Sequence, residues 1–132
     1  DLSDVNVEIV GDHSRLVQVV TNLLSNASKY SPEDSTIRVS TRSTETCSII
    51  EISDAGIGIS DEDQRKLFTP FFRAENSETR QVPGTGLGLV ICKQIVELHG
   101  GVLKIRSARG RGTTVRIEVP ISERAARSFD AA

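Results

Sequence analysis

Val5, Val7 and Ile9 alternate with Asn6 and Glu8, a period of two that predicts a short half-buried strand ending at Gly11. Asp12 then occupies a helix N-cap position ahead of Leu16, Val19, Val20, Leu23, Leu24 and Ala27. Those apolar spacings of three and four predict an amphipathic helix over 13–30, stopped at Ser31-Pro32 because proline cannot continue the hydrogen-bond ladder. Two β-rich runs follow, 36–43 and 47–54, and the polar Thr44-Glu45-Thr46 between them makes a hairpin. A short helix is expected over 61–68, then a long polar stretch over 69–85. Leu87, Val90, Ile91, Ile95 and Leu98 line one face of a second amphipathic helix, which starts near Gly86. It ends at Gly100-Gly101, where glycine can adopt the left-handed conformation of a helix stop. A last hairpin pairs 102–107 with 113–120 across Arg109-Gly110-Arg111-Gly112. Helices interleaved with antiparallel hairpins define an α+β chain: a two-layer sandwich, with helices on one face of a mixed, mostly antiparallel sheet.

Composition narrows the function. At 132 residues the chain is one domain with room for one core, and no internal repeat is visible. A net charge of −2 weighs against a nucleic-acid partner, which calls for a basic excess. No apolar run approaches a membrane span and no leader opens the chain, so a cytoplasmic domain without direct membrane contact is expected. Cys47 and Cys92 stand alone, without metal-ligand or CxxC spacing, and are expected to be reduced thiols. Residues 122–132 are polar and alanine-rich, with only Phe129 to bury, and read as a frayed tail after a domain over 1–121.

The candidate chemistry lies in four short runs. On the first helix Gln18, Asn22, Asn26 and Lys29 follow one another at spacings of four, four and three, forming a polar stripe beside the apolar one. A solvated face is usually rich in Lys and Glu, whereas this one is mostly amide. Neutral amide oxygens suit Mg²⁺, and Lys29 could meet phosphate oxygens; an ordinary polar face is the alternative. Asp54 shares a strand face with Ile50 and Ile52, so it points toward the interior or its rim. A buried carboxylate needs donors, and an adenine amine is one; capping of backbone amides in a tight turn is the other reading. Gly56 and Gly58 leave space where a planar base could enter, and their lack of oxygen donors fits a calcium loop poorly. Gly84-Thr85-Gly86-Leu87-Gly88 opens the second helix, where N–H groups and the helix dipole favour an anion. It has neither the Lys-Ser/Thr of a P-loop nor the preceding strand of a dinucleotide fold. The polar 74–83 segment reads as a mobile lid, with Arg73 and Arg80 as candidates to close over a triphosphate or as ordinary surface arginines.

In this order and spacing the runs resemble the catalytic, ATP-binding domain of sensor histidine kinases, a family grouped with type II topoisomerases, Hsp90 and MutL. The resemblance spans 5–121: an N box over Arg15 to Ser31, a G1 box over Asp54 to Gly58, an F box over Leu67 to Arg73, and a G2 box over Gly84 to Leu89. Gly110-Arg111-Gly112-Thr113 is similar to the family's final glycine turn. The resemblance implies a Bergerat fold and ATP with Mg²⁺ as ligands. Asn26 would be the metal ligand, Asn22 its neighbour at the phosphates, Lys29 a phosphate contact, and Tyr30 a residue packed on adenine. Asp54 would accept from the adenine amine beside Gly56 and Gly58, and Arg73 would assist at the γ-phosphate. Gly84, Gly86 and Gly88 would hinge the lid and present backbone to phosphate, with Ile59, Thr85, Leu87 and Thr113 completing the nucleotide contacts. The catalytic set would be Asn22, Lys29 and Arg73.

Within that superfamily the ATP-hydrolysing and serine-kinase relatives place a glutamate base at the position held here by Asn22, whose amide cannot take a proton. The resemblance therefore implies phosphoryl transfer to a histidine of a separate dimerisation domain, with a response regulator downstream. The alternatives are a non-catalytic ATP-dependent conformational module and an ATPase. His13 and His99 lack the sequence context of an acceptor and are expected to be structural.

Overall fold

Asp12 caps the first helix, its Oδ1 accepting from the Arg15 N–H at 3.1 Å, and α1 runs over His13–Tyr30. Residues 11–69 and 88–121 are described by the computed structural model, apart from the His13 side chain. The strand expected near Val5–Ile9, the 74–83 segment and the 122–132 tail lie outside the described residues. The next elements are β1 over Arg38–Ser43 and β2 over Cys47–Asp54, then α2 over Asp61–Gln64 and α3 over Gly88–Leu98. The strands β3, Val102–Ser107, and β4, Thr113–Pro120, close the fold.

Two boundaries differ from expectation. β1 begins two residues late, at Arg38 where it meets Ser53 of β2. α2 stops at Gln64 rather than 68, because the Gln64 side chain turns back into the fold. Its Nε2 donates to the carbonyls of Ile59 at 2.7 Å and Ser107 at 2.8 Å. A single turn gains little helical stability of its own, so these tertiary bonds decide its length.

The sheet order is β1-β2-β4-β3, and every pair is antiparallel among the described strands. Its inner face presents Ile52, Leu103, Ile117 and Val119 to Val19, Leu23 and Ala27 of α1 and to Cys92, Ile95 and Val96 of α3. These residues form one core between the helix layer and the sheet. The outer face carries an ion-pair row in which Arg116 reaches Glu118 at 2.7 Å and Glu51 at 3.9 Å. Such partly solvated pairs each contribute at most about 1 kcal/mol, so burial on the inner face dominates.

His99 ties the far ends of the two long helices. Its Nε2 accepts from the Asp12 N–H at 2.9 Å, and its Nδ1 lies 2.7 Å from the Ile95 carbonyl. A neutral ring with its proton on Nδ1 satisfies both bonds, which is the structural part expected of this histidine. A Cβ on Gly11 would overlap the ring, so the chain can enter α1 this closely only with glycine there.

Leu23 is 2% exposed and Val17, on the same helix, is 50% exposed. Leu23→Ala should therefore cost about 2–5 kcal/mol in urea denaturation, and Val17→Ala should stay within about 0.5 kcal/mol of wild type.

Candidate nucleotide site

The end of α1 meets the loop after β2. The Ile57 N–H donates to the Tyr30 carbonyl at 3.4 Å, and a Cβ on Gly56 would overlap that same carbonyl. Gly56 is thus what lets the loop lie against the helix end. Between them lies a cleft of about 490 Å³, lined by Lys29, Tyr30, Ser31, Pro32, Ala55, Gly56 and Ile57. That volume falls within the roughly 300–1,000 Å³ of small-molecule sites.

Asp54 stands beside the cleft at the end of β2 and is half-buried. Its Oδ1 accepts from the Gly56 N–H at 2.8 Å, so the turn-capping reading describes one of its oxygens. Oδ2 has no hydrogen bond to the other described residues, and a donor on a bound base could use it. The two readings of this carboxylate are compatible.

The rest of the loop is pinned from the opposite side. Gly58 has a φ of 72°, and a Cβ there would overlap the Ala108 carbonyl. The Gly110 N–H donates to the Ile57 carbonyl at 2.7 Å. Ser107 Oγ accepts from the Ile59 N–H at 2.8 Å, donates to the Gly112 carbonyl and lies 2.8 Å from Thr113 Oγ1. Thr113 pairs directly with Asp54 across β2 and β4, which puts it on the same sheet face. Ser107 and Gln64 are supports that the sequence reading missed.

On α1 the amide stripe divides. Gln18 and Lys29 are exposed, whereas Asn22 and Asn26 are half-buried. Asn26 and Asn22 lie one and two turns before Tyr30, a rise of about 6 and 12 Å along the helix. That spacing suits a ligand whose base sits at the cleft and whose phosphates extend back along the helix. Of the expected site residues, the cleft wall itself contains Lys29, Tyr30 and Gly56. Asp54, Gly58, Ile59 and Thr113 stand behind or beside it. Gly88 opens α3, and a Cβ there would meet none of the described atoms within 4 Å. Arg73, Arg80, Gly84, Thr85, Gly86 and Leu87 lie outside the described residues.

The sequence reading also missed Ser31, Pro32, Ala55 and Ile57 as wall residues, having read Ser31-Pro32 only as a helix stop. Ser31 Oγ is buried and without a hydrogen-bond partner among the described residues, a polar atom that a ligand or water could satisfy. At the α1–α3 contact, burial pushes the pKa of the Cys92 thiol above its ordinary value, and the nearby Asn22 side chain opposes that rise. No three His, Cys, Asp or Glu side chains converge on a metal position among the described residues. Any cation here would rely on neutral amide oxygens and on its ligand, an arrangement that fits Mg²⁺ with most of its waters retained.

Comparison with known proteins gives the family of the chain. Residues 11–123 match the model of the histidine kinase-, DNA gyrase B- and HSP90-like ATPases, and the chain belongs to that family. Within it, the branch is that of the sensor histidine kinase catalytic domains. The sensor histidine kinase WalK of Bacillus subtilis is 40% identical over 131 residues, covering 98% of this chain and 21% of WalK. The chain thus spans about a fifth of that relative's length. The structure of the mycobacterial sensor histidine kinase MprB is similar with a TM-score of 0.74 and 35% identity, over 86% of this chain and 74% of that one. The nucleotide-free catalytic domain of histidine kinase ThkA has a TM-score of 0.76 and 28% identity, over 90% of this chain and 76% of that one. Membership of an ATPase-type family implies that the chain binds ATP. No helix among the described residues is long and apolar enough to cross a membrane.

Asp54→Asn retains an oxygen that can accept from the Gly56 N–H, while Asp54→Ala does not. Asp54→Ala should lose about 0.5–1.5 kcal/mol of stability and Asp54→Asn much less, yet both should bind ATP more weakly. Urea denaturation and calorimetry on the two variants separate the turn-capping oxygen from the ligand-facing one.

Proposed function

We propose that residues 1–121 form the catalytic domain of a cytoplasmic sensor histidine kinase module, which binds Mg-ATP and transfers the γ-phosphoryl group to a histidine of a separate dimerisation domain. The observation that carries this reading is the cleft between Tyr30 and the Asp54–Ile57 loop, with Asn26 and Asn22 one and two turns up the same helix. Asp54 accepts from the adenine amine. Guanine would oppose it with a carbonyl oxygen, so the site selects against GTP. A site built around such a bond can discriminate by as much as ~10⁴.

Tyr30 packs on the base, and Lys29 meets phosphate oxygens from the last turn of α1. Asn26 and Asn22 turn amide oxygens toward the metal and the phosphates. Arg73 and the glycine run from Gly84 to Gly88 serve the γ-phosphate and the phosphate backbone. Mg²⁺, when bound, neutralises phosphate charge as the bond to the β-phosphate breaks.

Neither asparagine can remove a proton, so nothing on this face activates water. A neutral imidazole is already nucleophilic, and its base can come from its own domain. Positioning then supplies most of the catalysis. A phosphorylated dimerisation domain would in turn serve a response regulator.

The isolated chain should bind Mg-ATP much more tightly than Mg-GTP, yet neither phosphorylate itself nor release phosphate at an appreciable rate. Supplying a matching dimerisation domain in trans should restore labelling that is acid-labile and base-stable, as phosphohistidine is. Steady phosphate release by the chain alone would instead place it with the ATPases, and equal affinity for the two nucleotides would remove the role given to Asp54.

A further inference from the structure

Ser31 lines the cleft, yet its hydroxyl is buried without a hydrogen-bond partner among the described residues. The other such buried atom there is Arg116 Nε, whose guanidinium is already held through a second nitrogen that meets Glu118 at 2.7 Å. The Ser31 side chain has only its hydroxyl, and a buried hydroxyl left unpaired costs free energy. The sequence explains why it is left over. A serine in helical backbone can return its hydroxyl to the carbonyl four residues back. Pro32 disfavours that conformation for the residue before it, and Ser31 closes α1 in extended backbone, with φ −106° and ψ 151°.

The hydroxyl also stands near the polar side of the proposed base site. Ser31 N is bonded to the Tyr30 carbonyl carbon, and a Cβ on Gly56 would lie against both that carbonyl and Asp54 Oδ1. An ionised carboxylate only accepts, so Asp54 can hold the adenine amine but not the ring nitrogens that flank it, which are acceptors themselves. Those need a donor. No hydrogen bond to the described residues holds the Ser31 hydroxyl, so rotation between staggered wells about Cα–Cβ can swing it from the wall into the cleft. We propose that Ser31 is a second base-recognition residue, its hydroxyl donating to a ring nitrogen of adenine, directly or through a water, beside the amine held by Asp54. The proposal rests on the reading of the cleft as the adenine site. The two side chains then read an adjoining donor and acceptor on one base, and the bond satisfies the hydroxyl that the fold leaves unpaired.

The test measures binding of ATP, 1-deaza-ATP and 7-deaza-ATP, each with Mg²⁺, by calorimetry on wild type and Ser31→Ala. Each analogue replaces one flanking ring nitrogen with C–H. Wild type should bind one of the two analogues about 3- to 10-fold more weakly than ATP, the effect of one modest hydrogen bond. Ser31→Ala should bind ATP more weakly by a similar factor, and should bind that analogue as well as it binds ATP. Without nucleotide, the variant should unfold at the same temperature as wild type or a higher one, because it loses only an unpaired hydroxyl. A clear fall in that temperature would show the hydroxyl bonded within the fold and overturn the proposal. So would an alanine variant that binds ATP like wild type, or one that discriminates against the analogue as wild type does. Equal binding of ATP and both analogues by wild type overturns it without any variant. In all of these cases ATP binding by wild type leaves the nucleotide reading standing. If wild type does not bind Mg-ATP, that reading itself fails and the role of Ser31 falls with it.

Discussion

Val19, Leu23 and Ala27 are buried on successive turns of α1, in one core with Ile52 of the sheet and Cys92 and Val96 of α3. That contact sets the rotation of α1 about its axis, and the rotation decides what the helix offers to a ligand. Asn22 and Asn26 each precede a buried residue by one position, about 100° around the helix. They therefore sit at the margin of the buried stripe, half covered and half available. Turning the helix by one position would either bury two amides or release them to solvent. Core packing and site geometry are the same constraint seen from two sides.

A second constraint acts where strand, helix and loop ends converge. Gly56 approaches the Tyr30 carbonyl, Gly58 the Ala108 carbonyl, and Gly112 the Asp54 carbonyl, each closer than a Cβ would allow. The glycines make room for backbone as well as for a base. Once the loop is clamped, one oxygen of Asp54 is spent on the Gly56 N–H, which fixes the direction of the other. A carboxylate oriented in this way loses little further freedom when a ligand arrives.

Much of this was legible in the sequence because it is local. The cap at Asp12 and the apolar spacing along α1 define that helix, and strand alternation put Asp54 on the inner face. The resemblance then assigned the boxes. What escaped is tertiary. Ser107 joins Ile59, Gln64 reaches back to Ser107, and Cys92 meets Val19. No periodicity announces a bond between residues more than forty positions apart, and serine, glutamine and lone cysteine carry no spacing signature. α2 came out shorter than its pattern for the same reason, since a side chain that local propensity treats as helical is recruited by a distant strand. Ser31 was read for its neighbour Pro32, and its own hydroxyl went unconsidered.

The donor set also bears on the order of events at the proposed site. A site made of carboxylates attracts a divalent cation by charge alone, whereas Asn22 and Asn26 contribute dipoles and no net charge. Lys29, exposed at the end of the same helix, adds a positive charge nearby. On the proposed reading such a face attracts the phosphates and gives Mg²⁺ little reason to bind first. Phosphate oxygens must bring the cation, which then sits between them and the amides. Metal and nucleotide would enter together and leave together. The orientation of each amide would then matter more than its charge-bearing neighbours, because an amide offers an oxygen on one branch and repels the cation with its NH₂ on the other.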